Sequence, residues 1–202
     1  VMSVADISGF VVLAFVAAYV QTITGFAFGL LLMGSIALTG LVPLPEAAIV
    51  ISLLTLANAI VVLTRGWREI AIQPFLLSLA GAVPMIAAGY TLLGLFASTS
   101  LTMLRFALGT VIILSSLQLI RRPNFLGRPS SAASFAVFGA LGGLMGGLFA
   151  TAGPPLVFHF YRQPLSHVVI RETLVAIFAI NSLVRLGLVA ANGDWQQHAA
   201  VW

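Results

Sequence analysis

Gln21-Thr22-Ile23-Thr24-Gly25-Phe26-Ala27-Phe28-Gly29 is a polar, glycine-marked break inside an otherwise apolar run. Apolar residues extend from Ile7 to Val20 and resume from Leu30 to Val42. Each half falls short of the roughly 20 residues that cross a bilayer, and the two together exceed one crossing. A helix interrupted at membrane depth leaves backbone N–H and C=O groups unpaired, which is tolerated only where protein or a watery cavity satisfies them. Gln21, Thr22 and Thr24 add hydrogen-bonding side chains, and Gly25 and Gly29 permit a turn and a close approach. The arrangement returns as Gly146-Gly147-Leu148-Phe149-Ala150-Thr151-Ala152-Gly153-Pro154-Pro155. Two interrupted helices in corresponding places are the sequence pointer to a transporter's binding site.

Composition fixes the class around these breaks. The chain is 60% hydrophobic and 7% charged, with mean hydropathy +1.13, against about 25% charged in soluble domains. The apolar runs are long and lack the polar alternation of a transmembrane barrel, so an all-α polytopic membrane protein is predicted. No cysteine is present, which removes disulfides, thiol chemistry and cysteine-ligated metal. The nine basic residues are all arginine and give a net charge of +4. Guanidinium suits a planar oxyanion, but ordinary topology signals account for the same bias. The arginines sit in short loops and helix ends rather than along one stripe, so no nucleic acid is expected. No basic region precedes the first long segment, as a removable signal peptide requires.

Segments are expected at 7–24, 28–42, 46–63, 74–96 with Pro84 as a kink, 98–120, 133–150, 156–161 and 166–191. Gly139, Gly143 and Gly147 recur every fourth residue in the sixth, a stripe that lets a neighbouring helix pack backbone to backbone. Sliding the chain by about 123 residues lays Leu54-Thr55-Leu56-Ala57-Asn58 on Ile177-Phe178-Ala179-Ile180-Asn181, a spacing long enough for several spans. The same order of events recurs in each copy. The first copy holds an odd number of segments, so the second enters from the opposite face. Placing Arg65, Arg68, Arg128, Arg162 and Arg171 in the cytoplasm, with Asp6, Glu46 and Asp194 outside, satisfies every loop. The prediction is two inverted-topology repeats, residues 1–121 and 132–202, joined by a basic cytoplasmic linker at 122–131. The second repeat lacks counterparts of the fourth and fifth segments, so the complete protein is expected to continue for two further spans.

Three readings of the breaks compete. In the first, helix N-termini present N–H groups and partial positive charge to an anion, supplemented by Thr24, Thr151 and Gln21. An enzyme is the second, but H-E-x-x-H, G-x-S-x-G and any close pair of carboxylates are missing from the sequence. The third is a membrane scaffold or assembly subunit whose glycines and prolines serve packing alone.

Thr24-Gly25-Phe26-Ala27-Phe28-Gly29-Leu30-Leu31-Leu32, its partner Leu148-Phe149-Ala150-Thr151-Ala152-Gly153-Pro154-Pro155-Leu156-Val157, and Pro45-Glu46-Ala47 resemble the sulfite exporter TauE/SafE family over essentially the whole chain. That resemblance implies a permease of a prokaryotic inner membrane with two related halves, carrying sulfite, a sulfonate or a related organic anion. The family's signature is denser in glycine, and Phe26 and Phe28 here favour a less compact or partly apolar anion. The substrate-binding set is read as Gln21, Thr22, Thr24, Gly25, Gly29, Asn58, Thr151, Gly153, Pro154 and Asn181, with Arg105 and Arg185 as intramembrane guanidiniums. Asn58 and Asn181 hold matched places and serve either substrate or interhelical packing; Arg105 and Arg185 are also near enough to an interface to snorkel. Glu172 beside Arg171 reads as a charge pair at a helix start, and His159 as an interfacial side chain. No cofactor or metal is expected. The expected partners are a small anion and the lipid bilayer; no acid stands in a segment interior, so the coupling ion, proton or sodium, stays open, as does a homo-oligomer.

Overall fold

The computed structural model describes residues 4–24, 28–40, 42–120 and 126–193. All regular structure among them is helical: α1 (Val4–Thr24), α2 (Phe28–Thr39), α3 (Leu44–Gly66), a 3₁₀ turn (Trp67–Glu69), α4 (Ile72–Thr99), α5 (Leu101–Ile120), α6 (Ala132–Phe149), α7 (Gly153–Phe160) and α8 (His167–Ala191). Among the described residues four helices are long and apolar enough to cross a membrane, α3 with its 3₁₀ turn, α4, α6 and α8, while α2 belongs to a shorter apolar class. Side chains such as Phe15 and Phe106 point outward from the bundle, as lipid-facing residues do.

Helix ends follow local chemistry. Gly40, at φ 67°, stops α2 short of Val42 because a left-handed residue closes the last turn without a Cβ penalty. Pro45 opens α3, where a missing N–H costs nothing. Ser131 and Ser166 cap α6 and α8, accepting from the amides of Ser134 and Val169. Pro84 lies inside α4 without interrupting it.

The glycine stripe of α6 is spent on α4. Gly139, Gly143 and Gly147 lie against the backbones of Ser78, Ala82 and Ile86, while Gly81 and Gly89 of α4 lie against Ala136 and Leu144 of α6. Five glycines alternate along the seam, so the two helices touch main chain to main chain.

One apolar core gathers Leu32, Met33, Ile36, Ala47, Ala48, Ile51, Leu104, Leu108 and Phe149 from α2, α3, α5 and α6. A second gathers Phe135, Leu156, Phe160, Ile170, Leu174 and Ile177 from α6, α7 and α8. Hydrogen bonds draw the basic connections to one end of the bundle. The Ala71 amide donates to Thr173 Oγ1 (3.0 Å), the Leu126 amide to the Arg162 carbonyl (2.9 Å), and the Ser130 amide to Gln163 Oε1 (2.9 Å).

Candidate functional site

The second break is built from α6's last residue onward. Ala150 takes φ 52° and ψ 25°, the left-handed region, and its amide still donates to the Gly146 carbonyl at 3.0 Å. For an alanine this conformation costs about 1–2 kcal/mol. Thr151 and Ala152 are non-helical and buried, and α7 begins at Gly153. Pro154 and Pro155 fix the first turn of α7, but neither has an N–H to offer. Direct donation at this helix start therefore falls to the amides of the break itself and of Gly153, a narrower supply than the helix-terminus reading of the sequence assumes.

α2 approaches the break between α6 and α7 through its first turn. Gly29 sits against the Ala150 carbonyl and the Thr151 side chain. Between them lies a cavity of about 40 Å³, space for roughly three waters at ~10–15 Å³ each, which is the scale of a small oxyanion. Its wall includes Gly29, Asn58, Thr151, Gly153, Asn181 and Arg185, so six of the twelve residues singled out in the sequence share one void. Asn58 of α3 and Asn181 of α8 both reach it. Pro154 is buried immediately behind, in the first turn of α7. Gln21, Thr22 and Thr24 lie in the last turn of α1, but their side chains, and Gly25 altogether, fall outside the described residues. Arg105 is on the exposed face of α5 and does not line the cavity.

Arg185 does not snorkel. It is 1% exposed, and its Nε donates to the Gly147 carbonyl at 3.2 Å while its guanidinium lies 5.9 Å from the Tyr90 ring. Nη1 has no hydrogen-bond partner, and no carboxylate among the described residues pairs with the charge. Asn181 is likewise buried, with both amide atoms unpartnered. A buried polar group without a partner costs about 1–3 kcal/mol, more when charged. Such groups persist where something else completes them.

His159 is corrected from interfacial to core. It is 2% exposed, stacked on Phe138 (centroids 4.4 Å apart) and edge-on to Phe135 (4.7 Å). Its neighbours in sequence gave no sign of this; the aromatic slot comes from α6.

A larger cavity, about 410 Å³, opens beyond the first and shares Asn58 and Val175 with it. Arg65, Glu69, Arg171 and Glu172 line it at the basic end of α3 and α8. The Arg171–Glu172 pair is present, at 2.7 Å. The carboxylate is nevertheless 2% exposed, so the charge pair expected at this helix start has its acid buried near the start of α8. Gly66 makes room for it: the carboxyl occupies the space a Cβ there would need. The spatial pairing of Gly66 with Glu172 is set by α3 crossing α8 and leaves no trace in either local sequence.

A model of the sulfite exporter TauE/SafE family matches residues 10–202. The probable sulfite/organosulfonate exporter TauE of Cupriavidus necator is 37% identical over 176 residues, which cover 87% of this chain and 69% of that protein. No solved structure matches the chain significantly. With the family model spanning nearly the whole sequence and a relative of this identity beside it, the chain belongs to the sulfite exporter TauE/SafE family.

Proposed function

We propose that the chain is a secondary transporter that moves a small anion, sulfite, a sulfonate or a related organic anion, across a bacterial inner membrane by alternating access. The observation that carries this reading is the small cavity between α2 and the break before α7, walled by Asn181 and Arg185 with unpartnered polar atoms. An oxyanion supplies what both lack: acceptors for the guanidinium and the amide, and a negative charge for Arg185. The amides at the start of α7 and the hydroxyl of Thr151 would complete the shell, with Gly29 allowing the approach of the other half. Membership of an exporter family, and the name of the Cupriavidus necator relative, support sulfur oxyanions as the class.

The recurring element order, long helix, break, short helix, long helix, supports two repeats, and the gathering of basic loops at one end supports a cytoplasmic placement of that end. On this reading the larger cavity is a cytoplasmic vestibule and Asn58 with Val175 form the neck between vestibule and site.

The test is flux of labelled sulfite, sulfonates and carboxylates into proteoliposomes, comparing wild type with Arg185→Gln, Thr151→Ala, Asn58→Ala, Thr24→Ala and Gly25→Ala. Loss of the charged donor at Arg185 is expected to lower transport about tenfold to a hundredfold, the equivalent of ~1.5–3 kcal/mol. Full activity in all five variants would remove the site from this cavity.

A further inference from the structure

Asn181 and Arg185 ask for more than a negative charge. Both line the small cavity and both are buried. The two ends of the Asn181 amide are unpartnered: Nδ2 is a donor that needs an acceptor, and Oδ1 is an acceptor that needs a donor. Exchanging the two ends of the amide leaves that count unchanged. Arg185 spends Nε on the Gly147 carbonyl and keeps Nη1 buried without a partner. The pair therefore calls for two acceptor atoms and one donor. A fully deprotonated oxyanion offers acceptors alone, and it leaves one buried atom of Asn181 as unsatisfied as before.

The charge count is a separate constraint. Among the described residues that line the cavity from α2, α3, α6, the break, α7 and α8, Arg185 is the one with a titratable side chain. α4 adds the Tyr90 ring, 5.9 Å from the guanidinium, and no charged residue. In the vestibule the formal charges of Arg65 and Arg171 balance those of Glu69 and Glu172. A monoanion beside Arg185 brings the buried sum to zero. A dianion leaves one negative charge over, and an uncompensated charge taken out of water costs far more than a paired one. Hydrogen bonds and charge thus converge on one chemical form, an oxyanion with a single charge and one O–H.

We infer that the site takes its passenger as hydrogensulfite, in the O–H form, rather than as the sulfite dianion, and that Asn181 is the residue that reads the passenger's proton. The inference rests on the anion-transport reading above. The passenger's O–H donates to Asn181 Oδ1, while its remaining oxygens accept from Asn181 Nδ2 and Arg185 Nη1. The first two of these bonds form the reciprocal pair that an acid makes with an amide. The proton stays on the passenger, and no covalent bond forms or breaks. Methanesulfonate meets the charge requirement but carries carbon where the O–H stands, so it fits second. Sulfate fails on both counts.

The experiment follows uptake of labelled sulfite into proteoliposomes at equal pH on both sides, stepped from mildly acid to mildly alkaline, with the leak of protein-free vesicles subtracted. Sulfite titrates within that range. Wild-type uptake at fixed, subsaturating total sulfite is expected to fall in step with the hydrogensulfite fraction. Labelled methanesulfonate keeps its single charge throughout and is expected to enter at a rate that pH leaves unchanged, which separates titration of the passenger from titration of the protein. Sulfate is expected to inhibit at least roughly tenfold more weakly than methanesulfonate, the equivalent of ~1.4 kcal/mol. Asn181→Leu is expected to lower the ratio of sulfite to methanesulfonate uptake roughly threefold to tenfold, the effect of one further hydrogen bond. If that variant does not reconstitute, Asn181→Ala supplies the same ratio, and the wild-type profiles decide on their own. Sulfite uptake that is flat or rises with pH, methanesulfonate uptake that falls alongside it, methanesulfonate that neither enters nor competes, sulfate that inhibits as well as methanesulfonate, or an unmoved ratio in the Asn181 variants overturns the inference and leaves anion transport standing. A wild type that moves no anion removes both.

Discussion

A methyl group placed on Gly29 would stand 3.0 Å from the Ala150 carbonyl oxygen and 3.3 Å from the Thr151 Cβ. α2 therefore meets the second break at a position where it has no side chain, and the cavity wall is closed by that approach. Gly29→Ala asks the Ala150 segment to yield by a few tenths of an ångström into a void of about 40 Å³. It is expected to lower anion flux several-fold with little loss of folding. Gly29→Leu overfills the junction, with an expected destabilisation of about 1–3 kcal/mol and no flux. Uptake in proteoliposomes and thermal unfolding in detergent measure the two effects separately.

Ala150 holds its left-handed backbone against the preference of its own side chain. Ala150→Gly keeps the geometry and removes that conflict. Because the gain is offset by the extra freedom of glycine in the unfolded chain, the net expected stabilisation is up to about 1 kcal/mol, read as a higher unfolding temperature. A lower temperature would mean that the methyl group contributes packing that outweighs the backbone strain.

The helices and the glycine seam were legible because each rests on a local pattern: unbroken apolar runs, serine caps, and a glycine every fourth residue from Gly139 to Gly147. The meeting of Asn58 and Asn181 in one cavity was legible from self-similarity. What escaped the sequence depends on which helix crosses which. Arg185 lies close enough to the end of α8 to suggest snorkelling, yet the Gly147 carbonyl of α6 holds it inside. Glu172 looks like a solvated charge until Gly66 of α3 closes over it. His159 is polar in sequence and sits between two phenylalanines of α6 in space. In each case the deciding partner is on another helix, at a distance that no window of the sequence spans.

Asn181 separates a binding role from a packing role. Both atoms of its amide are buried and unpartnered, so replacing it removes no protein hydrogen bond. Asn181→Leu is expected to leave the unfolding temperature unchanged or raised, since an unsatisfied polar group gives way to apolar volume. Flux is expected to fall at least about tenfold, the effect of one hydrogen bond of ~1.4 kcal/mol to the anion. If stability and flux fall together, Asn181 holds α8 to its neighbours and the anion is bound elsewhere.

Gly143 and Gly187 make a matched pair for the seam between α4 and α6. A Cβ on Gly143 would run into the backbone of Ala82, whereas a Cβ on Gly187 meets nothing within 4 Å. Backbone cannot move aside as a flexible side chain does, so Gly143→Ala forces the two helices apart along their whole glycine-lined face. Its expected cost is at the upper end of the ~1–3 kcal/mol of ordinary overpacking, and Gly143→Leu is expected not to fold. Gly187→Ala replaces a poor helix former on an open face and is expected to stabilise by up to about 1 kcal/mol. Thermal unfolding of the three purified variants in one detergent checks the contrast. Equal unfolding temperatures for Gly143→Ala and Gly187→Ala would mean that α4 and α6 are not held main chain to main chain, and the cavity built on the end of α6 would lose its anchor.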